Sequence, residues 1–361
     1  MAKRERIPEL GTTHVKPISF TGVEGKVVIV TGASRGIGEA IAKLYGAHGM
    51  KVVCANRDPV KGQQVADEIL ADGGEASFFR TDTSNPDDVK AVVDFAVSKY
   101  GVLHGIVNNA GIGMGGTPLH ENTLEDCEKI LKLNIEGVFA GMKYAVEAMF
   151  KTKAEDPFII NIASIAGIMP QSGMGLYAAT KHAVVGITKT AALEYAKYGI
   201  TVNAICPGHT YTSIYGMADE GTLNTFADQV PAGRMGSPLE DAALALFLAS
   251  EHARFITGAI IPVDGGTCAG QMSPVMWRHP EIITGGELKV SSDSTIAVIL
   301  ETPGGKELVD KFLPGFTSNE QAQQAYGMTF KQILTLPMTA GMPQEYKEAF
   351  INALDHLADE S

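Results

Sequence analysis

Tyr177 and Lys181 stand four residues apart in a segment, 175–198, whose apolar spacing predicts a helix. Residues at i and i+4 share a helical face, so the phenol and the amine can enter one cleft. A tyrosine in water has a pKa of about 10 and is a poor general acid or base at neutral pH. An ammonium about 5 Å away, at an effective dielectric of about 20, contributes roughly 3 kcal/mol and predicts a phenol lowered by about two units. Such a pair can exchange a proton with a substrate. A second signature lies near the N-terminus, in Thr31-Gly32-Ala33-Ser34-Arg35-Gly36-Ile37-Gly38. Gly32 permits a tight turn, Gly36 lets backbone N–H groups approach a pyrophosphate, and Gly38 lets a helix pack closely on a strand. The positive end of the helix dipole then faces the phosphates, with Ser34, Arg35 and Ile37 in the same turn.

These groups need elements that bring them together. Val27-Val28-Ile29-Val30 is a continuous β-branched run, the pattern of a strand buried on both faces of a parallel sheet. Strand patterns recur at 51–55, 76–80, 105–107, 158–162, 201–205 and 259–263. Helix patterns fall at 37–47, 59–71, 86–99, 124–150 and 175–198. This alternation predicts an α/β fold: a doubly wound parallel sheet (Rossmann fold) with right-handed crossovers. The texture changes near Gly270. Helical patterns follow at 295–301, 305–313, 319–326, 329–334 and 345–357, with Asp293 and Ser294 as candidate caps for the first. The expected organisation is an N-terminal arm (1–24), a dinucleotide-binding and catalytic domain (25–270), a linker (271–289) and a helical C-terminal module (290–361).

Composition removes other classes. Of the 361 residues, 29 are Lys or Arg and 41 Asp or Glu, so the net charge of −12 argues against nucleic acid and anionic membrane partners. Cys54, Cys127, Cys206 and Cys268 are far apart, which signals neither a disulfide framework nor a metal site. No apolar run reaches the roughly 18 residues of a membrane span, and no secretory leader pattern is seen. A cytoplasmic protein acting on small molecules is expected.

The glycine spacing 32-36-38 resembles that of the short-chain dehydrogenase/reductase family, and further motifs agree in order. Asn108-Asn109-Ala110-Gly111 matches its N-N-A-G turn, and Pro207-Gly208 with Thr210 and Thr212 matches the segment that holds the nicotinamide carboxamide. Asp82, beside Thr83, matches the acid at the adenine edge. Ser164, thirteen residues before Tyr177, matches the serine that bonds the substrate carbonyl, and Asn134 the helix asparagine whose kink holds a relay water. The resemblance spans about residues 25–270. It implies hydride exchange between a nicotinamide cofactor and a carbonyl or secondary alcohol. In that scheme Asn134, Ser164, Tyr177 and Lys181 are catalytic, Lys181 also bonds the ribose, and no metal is involved. Homodimers or tetramers are implied, built through the helices near 124–150 and 175–198.

At the end of the second strand, Asn56 stands where NAD-binding members carry an acid that would repel a 2′-phosphate. Arg57 and Arg35 offer two cations there, so NADP is expected in preference to NAD. Tyr211, Tyr215, Met217 and Phe226 in the variable segment, with Met114, Met169 and Met174, suit a bulky apolar substrate such as a hydroxysteroid or bile acid. The competing expectations are a 3-oxoacyl-(acyl carrier protein) reductase and a non-catalytic cofactor-binding or assembly protein. Leu313-Pro314-Gly315 and Tyr326-Gly327-Met328-Thr329 resemble a small helical module appended to unrelated bacterial enzymes.

Overall fold

A computed structural model describes residues 20–113, 115–215, 218–270, 294–318, 328–334, 339 and 341–360. The described residues fall into two compact units, 20–270 and 294–360. In the first, seven strands form one parallel sheet: β1 Val27–Thr31, β2 Lys51–Asn56, β3 Glu75–Arg80, β4 Gly105–Asn108, β5 Phe158–Ile162, β6 Thr201–Pro207 and β7 Ile260–Val263. Their spatial order is β3-β2-β1-β4-β5-β6-β7. The chain reverses direction across the sheet between β1 and β4, and at such a switch point a crevice opens beyond the strands' carboxyl ends.

The helices between the strands are α1 Gly36–Ala47, α2 Pro59–Ala71, α3 Pro86–Tyr100, α4 Leu124–Leu131, α5 Gly137–Thr152, α6 Gly175–Tyr195, α7 Glu220–Asp228 and α8 Pro238–Ala249. Alternation along β1 sends Val28 and Val30 into a core with α1, α2 and α8, and Val27 and Ile29 into a core with α3, α5 and α6. Both faces are therefore dry, as the unbroken apolar strands require. Helix starts follow local chemistry. Asp58 accepts the N–H groups of Val60 and Lys61 ahead of Pro59, and Asn85 accepts that of Asp87 ahead of Pro86.

Three expectations are corrected. The single helix expected over 124–150 is α4 and α5 separated by a π-turn, Lys132–Glu136. Helices α7 and α8, for which no element was expected, fill the interval between β6 and β7. The cap ahead of Ile296 is Thr295, which accepts the Val298 N–H, since the helix starts one residue later than expected, at Ile296.

The second unit has its own apolar core. Helices Ile296–Glu301, Gly305–Phe312, Phe330–Ile333 and Gln344–Glu360 enclose it. Phe312 stacks on Phe350 at 4.3 Å between ring centres, and Phe330 meets Phe350 edge-on at 4.0 Å. The helix expected at 319–326 and the linker 271–289 lie outside the described residues, as does the arm except for residues 20–24. Among the described residues, no helix is long and apolar enough to cross a membrane.

Candidate active site

The crevice at the switch point is built on stitched strand ends. Thr31, the last residue of β1, accepts the N–H groups of Asn109 and Ala110 on its hydroxyl, both at 3.0 Å, and donates to Val107 O. Asn109 Nδ2 returns to Thr31 O at 2.9 Å and Gly32 O at 3.3 Å. Gly32 has a φ of 67°, the left-handed turn that glycine adopts without strain. A Cβ on Gly38 would overlap Gly32 O and Asn109 Nδ2, so only glycine lets α1 lie this close to the turn.

Two cavities share this floor. The smaller, about 250 Å³, is lined by Gly32, Ser34, Arg35, Gly36, Ile37, Asn56, Arg57, Thr81, Thr83, Asn109, Ala110, Gly111 and Thr212 among others. The larger, about 710 Å³, shares Ile37, Asn109, Gly111 and Thr212 and adds Ser164, Tyr177, Lys181, Pro207, Gly208 and Thr210. A glycine cradle at a helix N-terminus, continuous with a roomier pocket, fits a dinucleotide with its phosphates on the cradle. Asp82 lines neither cavity. Its carboxylate accepts from Ser84 N and Oγ at 3.0 and 2.7 Å and lies 4.0 Å from the Arg57 guanidinium. Asn56 Nδ2 donates to Asp58 O at 3.0 Å.

Tyr177 and Lys181 face the same cavity from α6, with Lys181 Nζ 5.6 Å from the phenol ring centre. Ser164 follows β5, caps the short turn Ile165–Gly167 by accepting the Ala166 N–H, and lines the same cavity as Tyr177. Lys181 Nζ donates to Ile162 O at 2.8 Å. Asn134 is buried in the π-turn and lines neither cavity. It accepts the Ile112 N–H and donates to Ile112 O, each at 2.9 Å, and donates to Thr180 Oγ1 at 3.2 Å. It thereby ties the loop after β4 to the helix that carries Tyr177.

The electrostatics correct the expectation of a lowered phenol. Burial holds Tyr177 above its ordinary value, and the Ser164 hydroxyl works against that. Burial also brings the Lys181 ammonium down to about 8. Spacing alone predicts the Coulomb attraction, whereas the loss of water around both groups acts in the opposite sense and prevails here.

Of the apolar residues expected around the substrate, Met174, Tyr215 and Phe226 line the larger cavity. Tyr211 packs instead beside Leu223, Ala227 and Met235, and Met169 contacts Cys268 with 3.6 Å between the sulfurs. Met114 and Met217 lie outside the described residues. The structure adds His209, Gln171 and Gln229, which no motif marked out. His209 stacks against Phe226 at 5.1 Å, and its Nδ1 is 3.4 Å from the Tyr215 hydroxyl. Burial lowers its affinity for a proton, so a neutral ring faces the cavity.

Residues 32–268 match the family model described as enoyl-(acyl carrier protein) reductase. Cyclohexanol dehydrogenase of an Acinetobacter species is 40% identical over 240 residues, 66% of this chain and 94% of that protein. 2,5-Dichloro-2,5-cyclohexadiene-1,4-diol dehydrogenase of Sphingobium indicum is 38% identical over 253 residues, 69% of this chain and 100% of that protein. The 3beta-hydroxysteroid dehydrogenase 1 of Eggerthella lenta is 38% identical over 250 residues, 68% of this chain and 95% of that protein. The crystal structure of a dehydrogenase/reductase from Sinorhizobium meliloti 1021 covers 68% of this chain and 95% of its own, at 32% identity and a TM-score of 0.64.

Proposed function

We propose, from the premise that this chain belongs to the short-chain dehydrogenase/reductase family, that it interconverts a secondary alcohol and a ketone on a bulky ring. The observation that carries this reading is one cavity of about 710 Å³ presenting Ser164, Tyr177 and Lys181 together with Met174, Tyr215 and Phe226. Relatives named for cyclohexanol, a cyclohexadienediol and a 3β-hydroxysteroid support a ring alcohol. A nicotinamide dinucleotide, when bound, supplies hydride in one direction and accepts it in the other.

The chain's own residues do the rest. The hydroxyls of Ser164 and Tyr177 bind the substrate oxygen, and Tyr177 donates the proton that completes a reduction. Its raised affinity for a proton keeps it loaded at neutral pH, which favours that direction. In oxidation the same phenol must ionise first, so that direction is expected to quicken as pH rises. Lys181 holds the cofactor ribose and steadies the phenolate, and Asn134 fixes the π-turn beside which protons pass to solvent.

The finer cofactor reading is NADP. Arg57 and Arg35 line the smaller cavity beside Asn56, which carries no charge to repel a 2′-phosphate, and Asp82, 4.0 Å from Arg57, is not part of the lining. A hydrogen bond to a charged group is worth roughly 1.5–3 kcal/mol, so Arg57→Glu should raise the KM for NADPH by about 10- to 100-fold and spare NADH. Equal change in both KM values, or a wild-type preference for NADH, would refute the assignment.

A substrate panel tests the whole reading. Cyclohexanol, borneol and a 3β-hydroxysteroid are assayed with NADP⁺ and NAD⁺, and 3-oxoacyl and enoyl thioesters with the reduced cofactors. Turnover of ring alcohols is expected. Activity confined to thioesters would replace this reading with an acyl-chain reductase, as the family model's description suggests.

A further inference from the structure

A carboxyl group that the chemistry above does not use is sealed behind the wall of the cleft. Asp241 lies in the first turns of α8 with no exposed surface. Thr210 donates from Oγ1 to Asp241 Oδ2 at 3.0 Å, and Oδ1 has no hydrogen-bond partner among the described residues. Thr210 is itself buried and belongs to the wall of the larger cavity.

The surrounding segment is held mainly by backbone bonds. Tyr211 N donates to Gly236 O at 2.8 Å, and Gly236 N donates to His209 O at 2.9 Å. Gly208 N donates to Val263 O at 2.9 Å on the other side. Thr210 and Asp241 add a side-chain link from this wall to the body of α8.

A charge buried with one hydrogen bond is costly, and an apolar residue of similar size would fill the space more cheaply. Burial pushes the carboxyl up to about 8, so the group is mainly the neutral acid at pH 7. In that form Oδ2 still accepts from the Thr210 hydroxyl, and the uncharged Oδ1 is less costly to leave without a partner than a carboxylate oxygen would be. A polar group kept at such a place calls for a role in geometry.

We propose that Asp241 is a positioning residue: through Thr210 it fixes segment 207–212 as the wall against which cofactor and substrate rest. The proposal depends on the reading that this cleft takes a nicotinamide cofactor, and its test separates the two. The readouts are the NADPH dissociation constant by fluorescence titration and the steady-state KM and kcat. Wild-type protein that binds no nicotinamide cofactor would defeat the functional reading itself.

Given wild-type binding, Asp241→Leu and Thr210→Val should each weaken NADPH binding and raise KM by about tenfold, the scale of one lost hydrogen bond, with kcat falling less. The double variant should be no worse than Asp241→Leu alone, because both changes break one link. Asp241→Asn, neutral and nearly isosteric, should recover most of the affinity. Wild-type affinity in Asp241→Leu or Thr210→Val, additive losses in the double variant, or an Asp241→Asn as impaired as Asp241→Leu would each overturn the proposal. If Asp241→Leu does not fold, Thr210→Val and Asp241→Asn still decide the matter.

Discussion

Tyr177→Phe is expected to lower kcat by about three orders of magnitude, the range of a lost general acid or base. The change removes one oxygen from a half-buried side chain and leaves the ring and its contact with Lys181 in place. Folding should therefore be unaffected, and NADPH affinity should stay within about fivefold, since one hydrogen bond at most is lost. A fall of that size corresponds to roughly 4 kcal/mol in the barrier. The pH profile supplies a second check. In the wild type, oxidation of the alcohol should rise with pH as the phenol ionises. That limb should vanish in the phenylalanine variant, because the change removes the hydroxyl whose ionisation produces it. A variant turning over at near wild-type kcat would remove Tyr177 from the chemistry.

What could be read in the sequence divides along the range of the forces involved. Short-range rules placed β1, the glycine turn, α2 and α3, because Asp58-Pro59, Asn85-Pro86 and unbroken β-branched runs act locally. The i,i+4 rule also brought Tyr177 and Lys181 to one cavity. Features that depend on distant packing were not legible. The π-turn at Lys132–Glu136 continues an ordinary helical pattern in sequence, so the kink at Asn134 was legible only through the family resemblance, and only the fold shows Asn134 turned inward to clamp Ile112. Helix α8 is apolar on nearly every side (Ala242-Ala243-Leu244-Ala245-Leu246-Phe247-Leu248), so it lacks the amphipathic period that marks a surface helix. Asp241 resembles a solvated first-turn acid until its burial is known. The direction of the Tyr177 shift failed for the same reason, since spacing carries Coulomb attraction but not desolvation.

Gly38→Ala should abolish cofactor binding more completely than loss of any one side chain in the cleft. The added Cβ would enter the space of Gly32 O and Asn109 Nδ2. Neither can yield cheaply. Gly32 O belongs to the backbone of the turn, whose N–H is fixed to Ala55 O at 2.8 Å, and Asn109 Nδ2 holds the ends of β1 and β4 together. Relief requires α1 to move off the sheet, which tilts the helix N-terminus away from the phosphates it should face. Overpacking of this kind costs about 1–3 kcal/mol, which in a unit of this size lowers Tm by roughly 5 °C. NADPH affinity should fall by at least about 100-fold, because the pyrophosphate contacts are lost together rather than singly. Gly186→Ala is the matched control. It adds the same methyl to an exposed position in α6 with nothing within 4 Å, and helix propensity predicts a gain of up to about 1 kcal/mol. Equal affinity in the two variants would mean that the glycine turn does not carry the phosphates, and the dinucleotide reading of the smaller cavity would fall with it.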